Sequence, residues 1–163
     1  MDTLMKKKPL YYSMAGGVLL LIFLLFGYWI SHHNLSFTCS SSTASFASNI
    51  NNTMSLNFTQ SMTFSYRGKA VVYLSGNITT SEAKYELNRT IVYTYTRTGT
   101  SDYSLQVVNA TSAGSDTVPE YLEQTYLGSL LHKAQRIIGI CKMPSGDMLI
   151  ANNAGPYLIC AVH

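Results

Sequence analysis

Four histidines, three cysteines and eight carboxylates are the groups in this 163-residue chain with chemistry to offer. His32, His33, His132 and His163 stand in no Ser/His/Asp or Cys/His pattern that would activate a nucleophile. The adjacent pair His32-His33, even with Cys39 nearby, falls short of a metal-ligand set, because neighbouring side chains point apart and further ligands are missing. Imidazole titrates between about pH 5 and 8, so His32, His33 and His132 are read as candidate pH-sensing residues. The first two would place a charge beside an apolar segment, and the third one late on a helix, where a positive charge is favoured. The carboxylates have structural explanations. Glu120 and Glu123 suit a first helical turn, and Asp102 and Asp147 suit turns. Gly16-Gly17 lies in an apolar run and Gly139 in a strand, so no phosphate-cradling loop is present. No enzymatic activity, metal or cofactor is expected.

The cysteines and tyrosines are more informative. Cys141 and Cys160 fall in strands read as neighbours, and they are expected to form a disulfide closing a loop worth about 3 kcal/mol in the chain-entropy model. Cys39 is left as a free thiol, a link to a partner, or a replacement for one member of that bridge. Among twelve tyrosines, Tyr66, Tyr73, Tyr85, Tyr93, Tyr95 and Tyr103 recur on strands. Their amphipathic rings are candidate contacts for an apolar ligand or a partner, alongside the plainer role of filling strand positions.

These groups need elements to hold them. Residues 11–30, YYSMAGGVLLLIFLLFGYWI, form one apolar block with Tyr11, Tyr12, Tyr28 and Trp29 at its ends. Twenty helical residues cover about 30 Å, the hydrocarbon thickness of a bilayer, and aromatic rings favour its boundaries. Lys6, Lys7 and Lys8 precede the block, and the next Lys or Arg is Arg67. The positive-inside bias therefore puts residues 1–10 in the cytoplasm and everything after residue 30 outside. The block is too long for a signal peptide and lacks a small-x-small cleavage site. A tail of about ten residues cannot fold into a catalytic or DNA-reading module. The charge of +3 comes mostly from that tail, so the outer part carries no electrostatic footprint for nucleic acid.

Residues 31–52, rich in Ser, Thr and Asn, are read as a juxtamembrane stalk, and 53–163 as one domain. Met54, Leu56, Phe58, Met62 and Phe64 alternate with polar residues, as in a strand buried on one face. Ala70 to Leu74, the series Tyr85 to Tyr95, and Tyr103 to Val107 make further strands, with turns expected at Gly76-Asn77 and Thr98 to Asp102. The period then lengthens. Leu122, Tyr126, Leu127, Leu130 and Leu131 share a face of a helix over roughly 118–134, capped by Asp116 or Thr117 with Pro119 in its first turn. Ile137 to Met143, Met148 to Ala151 and Tyr157 to Val162 close the chain as a meander. The fold class expected is α+β: one N-terminal transmembrane helix, then an antiparallel sheet or partly closed barrel packed by one helix.

This layout resembles the small single-span companions of ToxR-like membrane transcription regulators, of the ToxS, MyfF, PsaF and FidL type. The likeness rests on the tail MDTLMKKK, the span at 11–30, the Ser/Thr/Tyr-rich outer domain, and the segments ICKMPSGDMLI and YLICAV carrying Cys141 and Cys160. It implies a bacterial inner-membrane protein whose periplasmic domain binds and stabilises a ToxR-like regulator. Through that complex, cues such as acidity or a small apolar ligand would influence virulence or fimbrial gene expression, without direct nucleic-acid contact. Two alternatives stand beside it. Asn34, Asn51, Asn57, Asn77, Asn88 and Asn109 each begin an Asn-x-Ser/Thr triplet, which admits a type II membrane glycoprotein in adhesion or immune contact. The third reading is an independent periplasmic ligand-binding domain.

Overall fold

Apolar residues spaced two apart and separated by Ser, Thr and Asn bury one face of each strand and leave the other to solvent. The computed structural model turns this pattern into a closed barrel. It describes residues 8–33, 35–49, 52–131, 135–153 and 155–163, with side chains described except at 8–13, 30–33, 45–49, 52–53 and 129. The described chain forms two units, residues 1–34 and 35–163.

The first unit is the helix α1, Lys8–His33, whose described side chains, 14–29, are all exposed. Among the described residues no helix is long and apolar enough to cross a membrane.

The second unit is an up-and-down barrel of eight antiparallel strands in sequence order: β1 Phe37–Asn49, β2 Asn52–Ser65, β3 Lys69–Thr79, β4 Lys84–Arg97, β5 Asp102–Ser112, β6 Arg136–Lys142, β7 Met148–Asn152 and β8 Gly155–Val162. Inward positions carry Phe58, Met62 and Phe64 on β2, Val72 and Leu74 on β3, and Leu87 and Ile91 on β4, all buried. The expected strands and closing meander are present, and the barrel is fully closed.

Three local expectations fail for identifiable reasons. Residues 37–49, within the stretch read as a stalk, form β1, which pairs with β2 from Phe37↔Phe64 to Asn49↔Asn52. Its Ser- and Ala-rich sequence has little apolar alternation, so its strand character comes from that partner. At Gly76-Asn77 there is no turn. β3 continues through it, and Gly76 faces Phe58 so closely that a Cβ would strike the backbone of Asn57 and Phe58. The glycine permits close approach of two strands. The helix expected over 118–134 is a shorter composite: α2 Glu120–Leu122, a π-helical turn Glu123–Leu127, and α3 Gly128–Leu131. The Thr125 hydroxyl donates to the Tyr121 carbonyl at 2.8 Å, a back-bond that competes with the regular ladder. Pro119 occupies the N-cap with no side-chain cap, because Asp116 is engaged elsewhere.

The closure is uneven. β5 meets β6 only through Asp102↔Gly139 to Leu105↔Arg136, and β1 meets β8 only through Cys39↔Val162 and Ser40↔Ala161. The short meander β6–β8 therefore seals one end of the barrel. That end also holds the first residue of the unit, Leu35, whose N–H donates to the Tyr95 hydroxyl at 3.0 Å. At the other end Val118, just before the composite helix, and Leu122 and Leu127 within it are buried over the interior.

The disulfide is Cys39–Cys160, with 5.3 Å between Cα atoms, and Cys141 is free and exposed. The expected Cys141–Cys160 bridge is excluded by topology. Cys141 pairs with Leu149 and Cys160 with Met148, so β7 lies between their strands, whereas a disulfide needs Cα atoms within about 7 Å. They also occupy opposite faces: Cys160 is buried and Cys141 is not. Cys39, one diagonal step from Cys160 across the β1–β8 seam, has the matching face and reach.

Candidate functional site

β4 carries a charge on its inward phase. Arg89 lies between Leu87 and Ile91 and is buried with them. Its Nε donates to Asp116 Oδ2 at 2.8 Å and its Nη2 to Asp116 Oδ1 at 3.2 Å, while Nη1 meets Glu123 Oε2 at 2.6 Å. Asp116 also accepts the backbone N–H groups of Asn88 and Val118, at 3.0 and 3.1 Å. This carboxylate therefore folds the segment after β5 back onto β4, and Glu123 ties down the π turn. The hydrogen bond that Arg89 donates to Asp116 raises the Arg89 pKa against the opposing effect of burial. Burial pushes the Asp116 carboxyl upward, but hydrogen bonds from Arg89, Asn88 and Val118 outweigh it and hold the pKa below the usual value. In register across the sheet runs the row Gln60, Leu74, Arg89. Gln60 is buried, and its Nε2 is without a hydrogen-bond partner among the described residues.

The six tyrosines divide instead of converging on one pocket. Tyr66 and Tyr73 are exposed on the outside, and Tyr85 is partly buried against the core. Tyr93, Tyr95 and Tyr103 point inward and are buried. Tyr95 packs edge-on against Phe64 and Tyr103, with centroids 5.7 and 6.0 Å apart, and Phe37 stacks on Phe64 at 4.8 Å. This aromatic column fills the end of the barrel at which Leu35 lies. The Tyr95 hydroxyl, which accepts the Leu35 N–H, donates to the Ser65 carbonyl at 2.7 Å.

Tyr93 holds the helical cover in place by donating to the Leu130 carbonyl at 2.8 Å. Burial raises its pKa to about 12, with Arg136 opposing. Tyr93→Phe is expected to reduce stability by about 1 kcal/mol and to speed amide exchange in α3, as measured by denaturant unfolding and hydrogen exchange. A folded pKa above the unfolded one means that this contribution is complete below pH 10. It is lost as pH rises toward 12 in the parent protein, and Tyr93→Phe is expected to flatten that alkaline slope.

Past the short meander, β5 and β1 run on beyond their pairings with β6 and β8. A half-open cleft of about 540 Å³ is lined by residues 135–138, 151–153 and Tyr157. Ile137, Ile138, Ala151 and Tyr157 give it an apolar wall. Arg136 adds a guanidinium with no ion pair among the described residues. Burial raises the Tyr157 pKa, again opposed by Arg136. Beside the cleft, β5 from Gln106 to Ser112 pairs with β4 on one side and has no strand partner on the other among the described residues. That edge, QVVNATS, lacks the charges, prolines and glycines with which proteins usually protect a free strand. A bulge between Val92 and Tyr93 exposes Val108 on it.

His132 lies outside the described residues, as do the side chains of His32 and His33. Among the described residues no cluster of three or more His, Cys, Asp or Glu could hold a metal. The buried ion cluster and the free β5 edge escaped sequence reasoning, although an arginine in phase with Leu87 and Ile91 was a usable signal of the first.

A family model described as "FidL-like putative membrane protein" matches residues 76–160, just over half of the chain. No curated protein matches.

Proposed function

Because the chain belongs to the FidL-like membrane-protein family, we propose that it is a noncatalytic inner-membrane co-regulator. In this reading the barrel lies in the periplasm and binds and stabilises the periplasmic part of a ToxR-like transcription regulator. The observation that carries it is the unprotected β5 edge beside the apolar cleft. A free edge offers main-chain hydrogen bonds to an extended segment of another protein, and the cleft offers a pocket for side chains.

The described part of α1, residues 14–29, is apolar on all sides and exposed, and covers about 24 Å. Residues 11–13 and Ile30 extend it to about 30 Å, enough to span. The disulfide suits an oxidising compartment, which agrees with the cytoplasmic placement of Lys6, Lys7 and Lys8.

Tagged full-length protein recovered from its own membranes is expected to bring down a second membrane protein, and deleting the chain is expected to lower that protein's abundance. Recovery alone, with partner levels unchanged on deletion, refutes the reading. A barrel that binds its own ligand is the second reading, favoured by Arg136 facing an apolar wall. It predicts saturable binding of an amphipathic anion by the full chain with no partner present.

A further inference from the structure

Two arginines of the barrel lie in the strand phase that faces its interior. On β4, Arg89 falls between the buried Leu87 and Ile91, and on β6, Arg136 alternates with the partly buried Ile138 and the buried Ile140. The chain treats them differently. Arg89 is neutralised by Asp116 and Glu123, and both ion pairs among the described residues belong to it. Arg136 is partly buried too, yet the described residues that line its cleft include no Asp or Glu. Its guanidinium acts on the ionisation of both Tyr93 and Tyr157, which sets it near two phenols and not near a carboxylate.

The register gives this cation a use. Leu105↔Arg136 is the last pair between β5 and β6, and the free edge begins at the next β5 residue, Gln106. A strand added along Gln106–Ser112 therefore runs in line with β6, and one of its ends comes up against Arg136. Covering a charge strips its water, and the loss is not repaid unless a counter-ion arrives with the cover. A carboxylate on the incoming segment supplies one, in the forked geometry that the planar guanidinium favours. The Tyr157 hydroxyl in the same cleft is a further donor for that carboxylate, and Ile137, Ile138 and Ala151 receive its apolar neighbours. The edge itself, QVVNATS, is uncharged, and main-chain hydrogen bonds read no side chain, so selection among segments falls to the cleft.

We propose that Arg136 is the specificity determinant of the β5 edge: the partner's docking segment is an extended stretch with an Asp or Glu at the end that meets β6, and this carboxylate pairs with Arg136 in the cleft. The proposal rests on the partner-binding reading given above and adds the chemistry by which one segment is chosen over others. A segment with Lys or Arg at that place is rejected by like-charge contact.

The test uses tagged full-length protein in its own membranes, with the photo-crosslinking residue p-benzoylphenylalanine replacing Val108, which is exposed on the free edge. Irradiation is expected to join position 108 to a second membrane protein, and mass spectrometry of the joined peptide is expected to find an Asp or Glu a few residues from the link. Arg136→Glu should cut the yield about tenfold, and Arg136→Lys should leave it intermediate. Changing the identified carboxylate to Lys in the partner should lower the yield as far, and combining that change with Arg136→Glu should restore it, a reversal that a purely structural role does not produce. Should Arg136→Glu fail to accumulate, salt provides the second measurement. Raising it from about 0.05 to 0.5 M should lower the parent yield severalfold and leave that of Arg136→Gln unchanged, and equal responses overturn the proposal. A joined peptide without Asp or Glu, an unchanged yield in Arg136→Glu, or a loss that the reversed pair does not restore overturns it as well. So does a yield indifferent to Arg136→Glu when binding of free laurate is lost, which assigns the cation to a small ligand. No joined product at position 108 in the parent refutes the edge reading itself, whereas a strong product indifferent to Arg136 refutes the carboxylate alone.

Discussion

Cys160→Ser is expected to lower the unfolding free energy of the barrel by about 3–5 kcal/mol, measured by urea denaturation of the otherwise unchanged protein. The bridge joins residues 121 apart, from the first strand to the last, and a loop of that length gives about 5 kcal/mol in the chain-entropy model. Its leverage is also local, because the strands it links share only two residue pairs. Without the bridge the seam depends on those pairs, the His163 N–H donating to the Thr38 carbonyl at 3.0 Å, and the Ser40–His163 side-chain contact at 2.6 Å. Cys39→Ser should match Cys160→Ser, and the double substitution should add little to either. Cys141→Ser should stay within about 0.5 kcal/mol of the parent in lipid-free detergent solution. A large loss in Cys141→Ser with a small one in Cys160→Ser would show that the bridge is formed by other partners.

Asp116→Ala should cost a comparable amount, about 3–5 kcal/mol, because it leaves a buried guanidinium with only the partly exposed Glu123 and orphans two backbone N–H groups. Arg89→Met with Asp116→Leu should recover part of that loss, since an uncharged pair leaves no buried ion unmatched. The pH dependence has a definite sign. The Asp116 pKa is lower in the folded protein than in the unfolded chain, so the folded state resists protonation there. The stabilisation is complete above the unfolded value of about 3.9 and fades as pH falls through the lower folded value. Acid unfolding of Asp116→Ala should therefore lose that component of its slope, which a stability profile between pH 2 and 6 would show.

Strands were legible wherever large apolar residues kept a period of two. Phe58, Met62 and Phe64, or Leu87, Ile91, Tyr93 and Tyr95, declare both a strand and its buried face. β1 was not legible, because Thr, Ser and Ala at its inner and outer positions carry almost no contrast. Closure was beyond reach for a different reason. Whether the first strand meets the last depends on twist and strand number summed around the sheet, and no local window contains either. The cysteine assignment failed through that gap. With the seam unknown, Cys39 appeared remote, and nearness in sequence favoured Cys141. The phase of β6 already argued otherwise, since Cys141 shares its face with Ile137 and Cys160 lies on the inner face with Leu158. Of the tyrosines, the register of β4 separates Tyr93 and Tyr95 from outward positions, but it cannot say that one secures the helical cover and the other the chain entry.

A ribosome delivers this chain from Cys39 toward Cys160, so the thiol at position 141 emerges nineteen residues before its rival and can be oxidised against Cys39 first. That premature link would trap the nascent ring with its last two strands unplaced. Only thiolate attack by the late arrival, or by a shuffling catalyst, would release it. Maturation of this protein is thus expected to slow in cells deprived of disulfide isomerase, and removing Cys141 should abolish the dependence.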